Sequence, residues 1–125
     1  MQYSYKVRAN ADFCASVELP DSNTKCAKPH GYTYKVTATV SSFKLNSLGF
    51  VCDYNLLQDS LLGFCQQLDY CNLNCNSLLE GIVPSSENIA RVLLEKLAIR
   101  LAINSELKLS IAIETRPGCI VEVSQ

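Results

Sequence analysis

From Tyr32 to Ser41 apolar and polar residues alternate without a break: Tyr32, Tyr34, Val36, Ala38 and Val40 against Thr33, Lys35, Thr37, Thr39 and Ser41. A sustained period of two demands a half-buried β-strand, because successive side chains leave a pleated backbone on opposite faces. Such a strand cannot stand alone. Its backbone donors and acceptors need neighbours in a sheet, and its apolar face needs a second layer. The rest of the chain has to supply both.

The first candidate partner lies upstream. Tyr3, Tyr5, Val7 and Ala9 alternate with Ser4, Lys6, Arg8 and Asn10, and Phe13, Ala15, Val17 and Leu19 resume the pattern. This reads as one strand with a bulge near Asn10-Ala11-Asp12, paired with the Tyr32 strand as an antiparallel ribbon. Pro20-Asp21-Ser22-Asn23 has the chemistry of a turn. Downstream, Asp53 is a plausible N-cap, and Leu57, Leu61, Phe64, Cys65 and Leu68 recur at helical spacing, which predicts a helix over residues 54–68. Residues 68–84 have no clear period and are too long for a simple turn; loops of that length tend to be functional. A second helix follows Pro84-Ser85-Ser86, with Ile89, Leu93, Leu97 and Leu101 on one stripe, and ends near Asn104. Leu107, Leu109, Ile111 and Ile113 form a third strand, Pro117-Gly118 turns the chain, and Cys119, Val121 and Val123 form a fourth.

The expected fold is therefore α+β: a four-stranded antiparallel sheet with two helices inserted between its second and third strands and packed on one face, over a single domain, 1–125. Two open sheet edges favour pairing with other subunits, so a ring-like homo-oligomer is expected. With 125 residues, 48% of them hydrophobic and 18% charged, the chain is long enough to bury a core. A net charge of −1 offers no basic field for nucleic acid or an anionic membrane. No apolar run has the length of a membrane span or the form of a signal peptide, so the chain reads as cytoplasmic.

Chemistry concentrates in Lys25-Cys26-Ala27-Lys28-Pro29-His30-Gly31-Tyr32-Thr33-Tyr34, which holds the chain's one histidine with a cysteine four residues before it. A thiol and an imidazole at this spacing suit a nucleophile with its base, two ligands of a metal, or a turn that contains both. The seven cysteines form no C-x-x-C pair and read as reduced thiols, several of them small buried apolar residues. Cys71 and Cys75 with His30 make only a weak zinc pattern.

Several segments in the expected order resemble one family. Phe13-Cys14-Ala15-Ser16-Val17, Lys25-Cys26 followed by His30-Gly31-Tyr32-Thr33-Tyr34, and Gly49-Phe50-Val51-Cys52-Asp53-Tyr54 carry the likeness, as do Leu68-Asp69-Tyr70 with Leu73-Asn74, Pro84-Ser85-Ser86-Glu87-Asn88, and Glu114-Thr115 with Gly118-Cys119-Ile120. Together they are similar to the 6-pyruvoyl tetrahydropterin synthase and 6-carboxytetrahydropterin synthase family, from about Tyr3 to Glu122. The resemblance implies the tunnelling architecture (T-fold), a hexamer of two stacked trimers, a pterin-like small-molecule ligand and, if the chain is an enzyme, a pterin-processing lyase. It also implies zinc on three histidines, but here Val17 and Tyr32 stand at two of those positions and His30 alone remains. The zinc site is thus expected to be lost, leaving no cofactor, because a valine and a phenol cannot replace two imidazoles. The family's catalytic cysteine and aspartate–histidine dyad correspond to Cys26, Asp69 and Tyr70, with tyrosine in the histidine's place. Tyrosine, of pKa about 10, is a poor base at neutral pH. Lys25 or Lys28 could lower the pKa of Cys26 modestly. Glu114, with Thr115, corresponds to the pterin anchor, since a carboxylate can accept two adjacent N–H bonds from the ring edge. Two readings stay open: a protein that keeps the pteridine pocket without the zinc chemistry, or a metal-independent lyase or aldolase using Cys26 and Tyr70.

Overall fold

The computed structural model describes residues 1–20 and 22–125. The turn expected at Pro20-Asp21-Ser22-Asn23 falls on Asp21 and lies outside the described residues. Strands β1 (Tyr5–Val17) and β2 (His30–Ser42) are followed by helix α1 (Tyr54–Leu68), a two-residue strand β3 (Cys71–Asn72) and helix α2 (Ser86–Arg100). Strands β4 (Lys108–Arg116) and β5 (Cys119–Ser124) complete a sheet in the order β3-β1-β2-β4-β5.

β1 and β2 pair antiparallel in one unbroken register, from Tyr5 opposite Ser42 to Val17 opposite His30. The bulge expected near Asn10-Ala11-Asp12 is absent. Asn10 and Ala11 sit in phase, and two bonds hold them there: Thr37 Oγ1 donates to Asn10 Oδ1 at 2.9 Å, and Gln58 Nε2 of α1 donates to the Asn10 carbonyl at 3.0 Å. The polar run that suggested an interruption instead ties the ribbon to its neighbours.

The four long strands are antiparallel neighbours, with both helices between β2 and β4 in sequence, as a T-fold requires. The sheet is mixed rather than purely antiparallel, because β3 adds to β1 in parallel through Ala15–Cys71 and Ser16–Asn72. Its cause is local. Asp69, which ends α1, accepts the Cys14 N–H on Oδ1 at 2.8 Å, and the Tyr70 N–H donates to the Cys14 carbonyl at 2.6 Å. The chain leaving the helix is thereby drawn onto the edge of β1, so residues 68–84 are more ordered than their pattern suggests.

Asp53 caps α1 by accepting the Asn55 and Leu56 N–H groups, and Ser85 caps α2 by accepting that of Asn88. α2 stops at Arg100 rather than near Asn104. The Ile103 and Ala102 N–H groups turn back to the Ala98 and Ile99 carbonyls, closing a Schellman motif with Ala102 at φ 50°. Apolar periodicity continues to Leu101 and hides this stop.

The helices bury Leu57, Leu61, Cys65 and Leu68 from α1 and Ile89, Leu93 and Leu97 from α2. These pack on the sheet face that carries Phe13, Ala15, Val17, Tyr34, Val36, Ala38, Val40, Leu109, Ile111 and Ile113. Each valine, leucine, isoleucine or phenylalanine among them contributes about 1.5–3 kcal/mol of transfer free energy. Phe13 and Tyr34 stack at the centre with centroids 4.6 Å apart. Cys65 behaves as a small apolar filler: burial first, then the charges of Asp12 and Asp69, push its thiol up to about 12. The alternate positions, Arg8, Asn10, Cys14, Lys35 and Lys108 among them, face away from the helices. Among the described residues no helix is long and apolar enough to cross a membrane.

Candidate functional site

Strand pairing alone brings three positions together at one end of the β1–β2 ribbon. Val17 is the cross-strand partner of His30, and Tyr32, two residues on, pairs with Ala15. All three project toward the helix side. The His30 and Tyr32 rings meet edge to face at 5.0 Å, and Tyr32 meets Tyr34 in the same way at 5.6 Å. This ladder of rings leads from the surface down to the Phe13 stack. At its foot, burial and then the neighbouring Tyr32 hold the Tyr34 phenol well above its usual pKa, so it stays neutral. At its top, His30 Nδ1 lies 2.8 Å from the Lys28 carbonyl oxygen. A carbonyl only accepts, so Nδ1 carries the proton and Nε2 is the nitrogen left for other partners.

Cys26 sits in a short 3-10 turn, Lys25–Ala27, capped by Thr24, whose hydroxyl accepts the Cys26 N–H at 3.1 Å. The Leu19 N–H donates to the Cys26 carbonyl at 2.8 Å and ties this turn to the chain leaving β1. The result is a cavity of about 290 Å³ lined by Lys25, Cys26, His30, Gly31, Tyr32 and Arg116.

Tyr70 lies elsewhere. Its backbone is left-handed (φ 54°), a costly conformation for an aromatic residue, and the residue is 87% exposed. With Cys14, Ser16, Tyr32, Thr33 and Asn72 it lines a shallow cavity of about 600 Å³. Gly31 and Tyr32 line both this cavity and that of Cys26. Asp69 does not reach either one; its Oδ1 is engaged by the Cys14 N–H.

Glu114 occupies a third place, on the sheet face away from the helices and directly across from Lys35 of β2. Its Oε2 accepts the Gly118 N–H at 3.3 Å. Asn10, Asp12, Lys35, Thr37, Leu62 and Glu114 line a cavity of about 540 Å³. Thr115 is the extra residue of a β-bulge: Glu114 pairs with Ile120, but Arg116 pairs with Cys119. Strict alternation would have put Arg116 on the face of Glu114. The bulge re-aims it into the Cys26 cavity, and this is how the sequence reading missed it. A Pro-Gly turn with Gly118 at φ 80° was the available signal, because a left-handed glycine at a hairpin commonly accompanies a bulge.

Within one chain, then, Cys26 meets His30 and Tyr32, while Tyr70 and Glu114 each lie in other cavities. The family model of 6-pyruvoyl tetrahydropterin synthase matches residues 6–125. The chain belongs to that family. Among solved structures, it is similar to 6-pyruvoyl tetrahydropterin synthase of Caenorhabditis elegans, at 22% identity and a TM-score of 0.82, over 99% of this chain and 97% of the other. The corresponding protein of Plasmodium falciparum is 16% identical with a TM-score of 0.79, over 98% of both chains. An uncharacterised protein of Wolinella succinogenes is 18% identical with a TM-score of 0.71, over 97% of this chain and 98% of the other. Comparison with curated proteins gives no significant match. At these identities the structural likeness establishes the T-fold.

The zinc expected of a 6-pyruvoyl tetrahydropterin synthase does not fit the residues at this position. Val17 is 3% exposed and part of the core, with no lone pair to offer, and Tyr32 brings a phenol rather than an imidazole. Among the described residues no group of three or more His, Cys, Asp or Glu side chains could hold a metal ion. Nor do Cys71 and Cys75 join His30 in one: the Cys71 thiol turns to the Gln67 and Asp69 carbonyls at 3.6 and 3.3 Å.

Proposed function

We propose that this member of the 6-pyruvoyl tetrahydropterin synthase family binds a pterin through Glu114 and has lost the zinc-dependent lyase chemistry. The observation that carries the reading is the placement of Glu114. Glu114 lines a cavity with Asn10, Asp12, Lys35 and Thr37, with one carboxylate oxygen on the Gly118 N–H and the other without a hydrogen bond among the described residues. A planar ring presenting an N–H and an NH2 side by side can use that carboxylate as a charge-assisted acceptor. Thr115, in the adjoining bulge, belongs to the same anchor.

Assembly is part of the proposal. β3 covers only Ala15 and Ser16 on the outer edge of β1, and β5 is the last strand on the other side of the sheet. Pairing of these edges between chains supports a hexamer of two stacked trimers, in which Glu114 of one chain can approach Cys26 of another. A monodisperse monomer by light scattering at micromolar concentration would refute this assembly. The metal-independent reading, with Cys26, Asp69 and Tyr70 as catalytic groups, draws its support from Tyr32, which lines the cavities of both Cys26 and Tyr70.

Calorimetric titration with neopterin tests the proposal. Glu114→Gln keeps the size of the side chain but sets an NH2 against a ring donor, and should cost about 2–4 kcal/mol, or about thirty- to a thousandfold in affinity. Cys26→Ala and His30→Ala should leave the affinity nearly unchanged. Absence of binding to the wild-type protein at millimolar neopterin would sink the pterin reading.

A further inference from the structure

The end of the β1–β2 ribbon farthest from His30 is apolar on its surface. β2 ends at Ser42, and the loop that follows exposes Phe43, Leu45, Leu48 and Phe50, with Leu48 75% exposed. Tyr3 and Tyr5, whose rings lie 6.3 Å apart, are exposed beside it, since Tyr5 is the cross-strand partner of Ser42. Helix α1 runs along β1, with Gln58 bonded to Asn10 and Asp69 to Cys14, so its exposed first residue, Tyr54, lies toward the same end. The loop is tightly tied. Asn46 Oδ1 accepts the Leu48 and Phe50 N–H groups at 3.0 Å each, and the Asn46 N–H donates to the Phe50 carbonyl at 2.8 Å. The Gly49 N–H donates to the Asn46 carbonyl at 2.9 Å. These polar backbone groups are satisfied within the loop while its apolar side chains stay outside, the condition for entering a medium poor in water. One row further in, on the sheet face away from the helices, stand cations. Lys6, Ser41 and Lys108 are in register, and Arg8 occupies the next row with Thr39 and Ser110. The net charge of −1 hides this segregation. Among the described residues the acidic side chains at this end are engaged: Asp53 caps α1 and Glu106 pairs with Lys44, while Glu122 stands a further row in, beside Ala112.

We propose that this end of the molecule docks on an anionic bilayer surface. The order of groups along the strands matches the order of layers in a bilayer: apolar loop outermost, tyrosines at its base, cations behind them. Leucine and phenylalanine side chains suit the acyl boundary, and tyrosine, apolar in body and polar at its tip, suits the headgroup level. The long stems of Lys6, Arg8 and Lys108 let their charges reach lipid phosphate and carboxylate groups from one row back. A bilayer asks only for this order of depth, whereas a protein partner would have to supply a groove shaped to the loop. The chain would lie on such a surface, not span it. This inference is independent of the pterin reading, because none of these residues lines the cavities of Glu114, Tyr70 or Cys26.

The test is co-sedimentation of the full chain with vesicles of phosphatidylcholine, and with vesicles of equal parts phosphatidylcholine and phosphatidylserine, at low and at high sodium chloride. Partition into the phosphatidylserine vesicles is expected, weaker with phosphatidylcholine alone and weaker at high salt, which screens the attraction. Leu48→Ser should lower the partition coefficient about tenfold or more through lost apolar transfer. Lys6→Gln combined with Lys108→Gln should lower it about thirtyfold on the phosphatidylserine vesicles. Lys96→Gln, on the exposed side of α2, should leave it unchanged. All four positions are exposed, so the variants keep the fold, and an unchanged melting temperature checks this. Absence of partition into either vesicle at low salt would overturn the proposal and leave the face to a protein partner. Equal partition into both compositions would overturn it too, since the basic row would then have no part. A third overturning result is a Leu48→Ser protein of smaller assembly size by light scattering, which assigns the face to a second copy of this chain.

Discussion

Glu114 and Arg116 are two residues apart on β4, yet they serve different places. Glu114 stands in register with Lys35 on the face away from the helices, in a cavity that also holds Asp12. Arg116 joins Lys25, Cys26, His30 and Tyr32 in another cavity, in which no acid stands among the described residues. One inserted residue, Thr115, separates them. The comparison teaches that residues two apart on one strand can line different cavities: Glu114 lies with Asp12 and Lys35, and Arg116 with Lys25, Cys26 and His30. A β-bulge achieves the division with no change to the strands on either side.

The largest effect that can strain this comparison comes from the core beneath it. Phe13 and Tyr34 are each 1% exposed and stacked, and Tyr34 supports Tyr32 of the Cys26 cavity. Phe13→Ala should cost about 3–5 kcal/mol in chemical denaturation, through lost transfer energy and the cavity left behind. Below its melting temperature the variant should keep neopterin affinity, because Glu114 is positioned by backbone pairing with Lys35. Equal damage to both cavities would show that they are not independently built.

A smaller effect is expected at Asp69. Its carboxylate holds the Cys14 N–H and so fastens β3 to the edge of β1. Asp69→Ala should lower stability by about 1.5–3 kcal/mol, the range for a charge-assisted hydrogen bond, while neopterin affinity stays within twofold. A binding loss larger than the stability loss would instead assign Asp69 to the ligand site.

The smallest effect has the opposite sign. Tyr70 and Ala102 are the non-glycine residues with positive φ among those described, one beside the site and one at the end of α2. Replacing either by glycine should raise stability by about 1 kcal/mol, the strain relieved less the extra entropy of the unfolded chain. If Tyr70 has a ligand role, Tyr70→Gly alone should also change binding or turnover. Indistinguishable behaviour of the two variants would reduce Tyr70 to a strained turn residue.

Much of the architecture was legible because it is periodic. Helix α1 spans the residues that the Leu57–Leu68 spacing marks, and the helix-facing side of β2 is the one that alternation from Tyr32 to Val40 selects. The candidate residues around Cys26 were legible too, since Val17, His30 and Tyr32 meet through simple antiparallel register. Less visible was what distant partners impose. β3 exists because Asp69 and Tyr70 bond to Cys14, fifty-five residues from Asp69 in the chain. The bulge foreseen near Asn10 is absent because Thr37 and Gln58 occupy Asn10, and an unforeseen one lies at Thr115.

By itself the sequence determined the element types, the face each strand buries and the family, and it put a valine and a tyrosine, Val17 and Tyr32, beside the chain's one histidine. These follow from side-chain chemistry and from periods that each segment carries locally. The tertiary structure alone decided that Arg116 lines the cavity of Cys26, that Glu114 lines another, that Asp69 is tied to a strand edge, and that Tyr70 is held in a left-handed turn. Each of these depends on where an unpaired backbone group finds its partner. Such a group cannot be left unsatisfied when buried, and its partner is set by the assembled sheet rather than by neighbours in the chain.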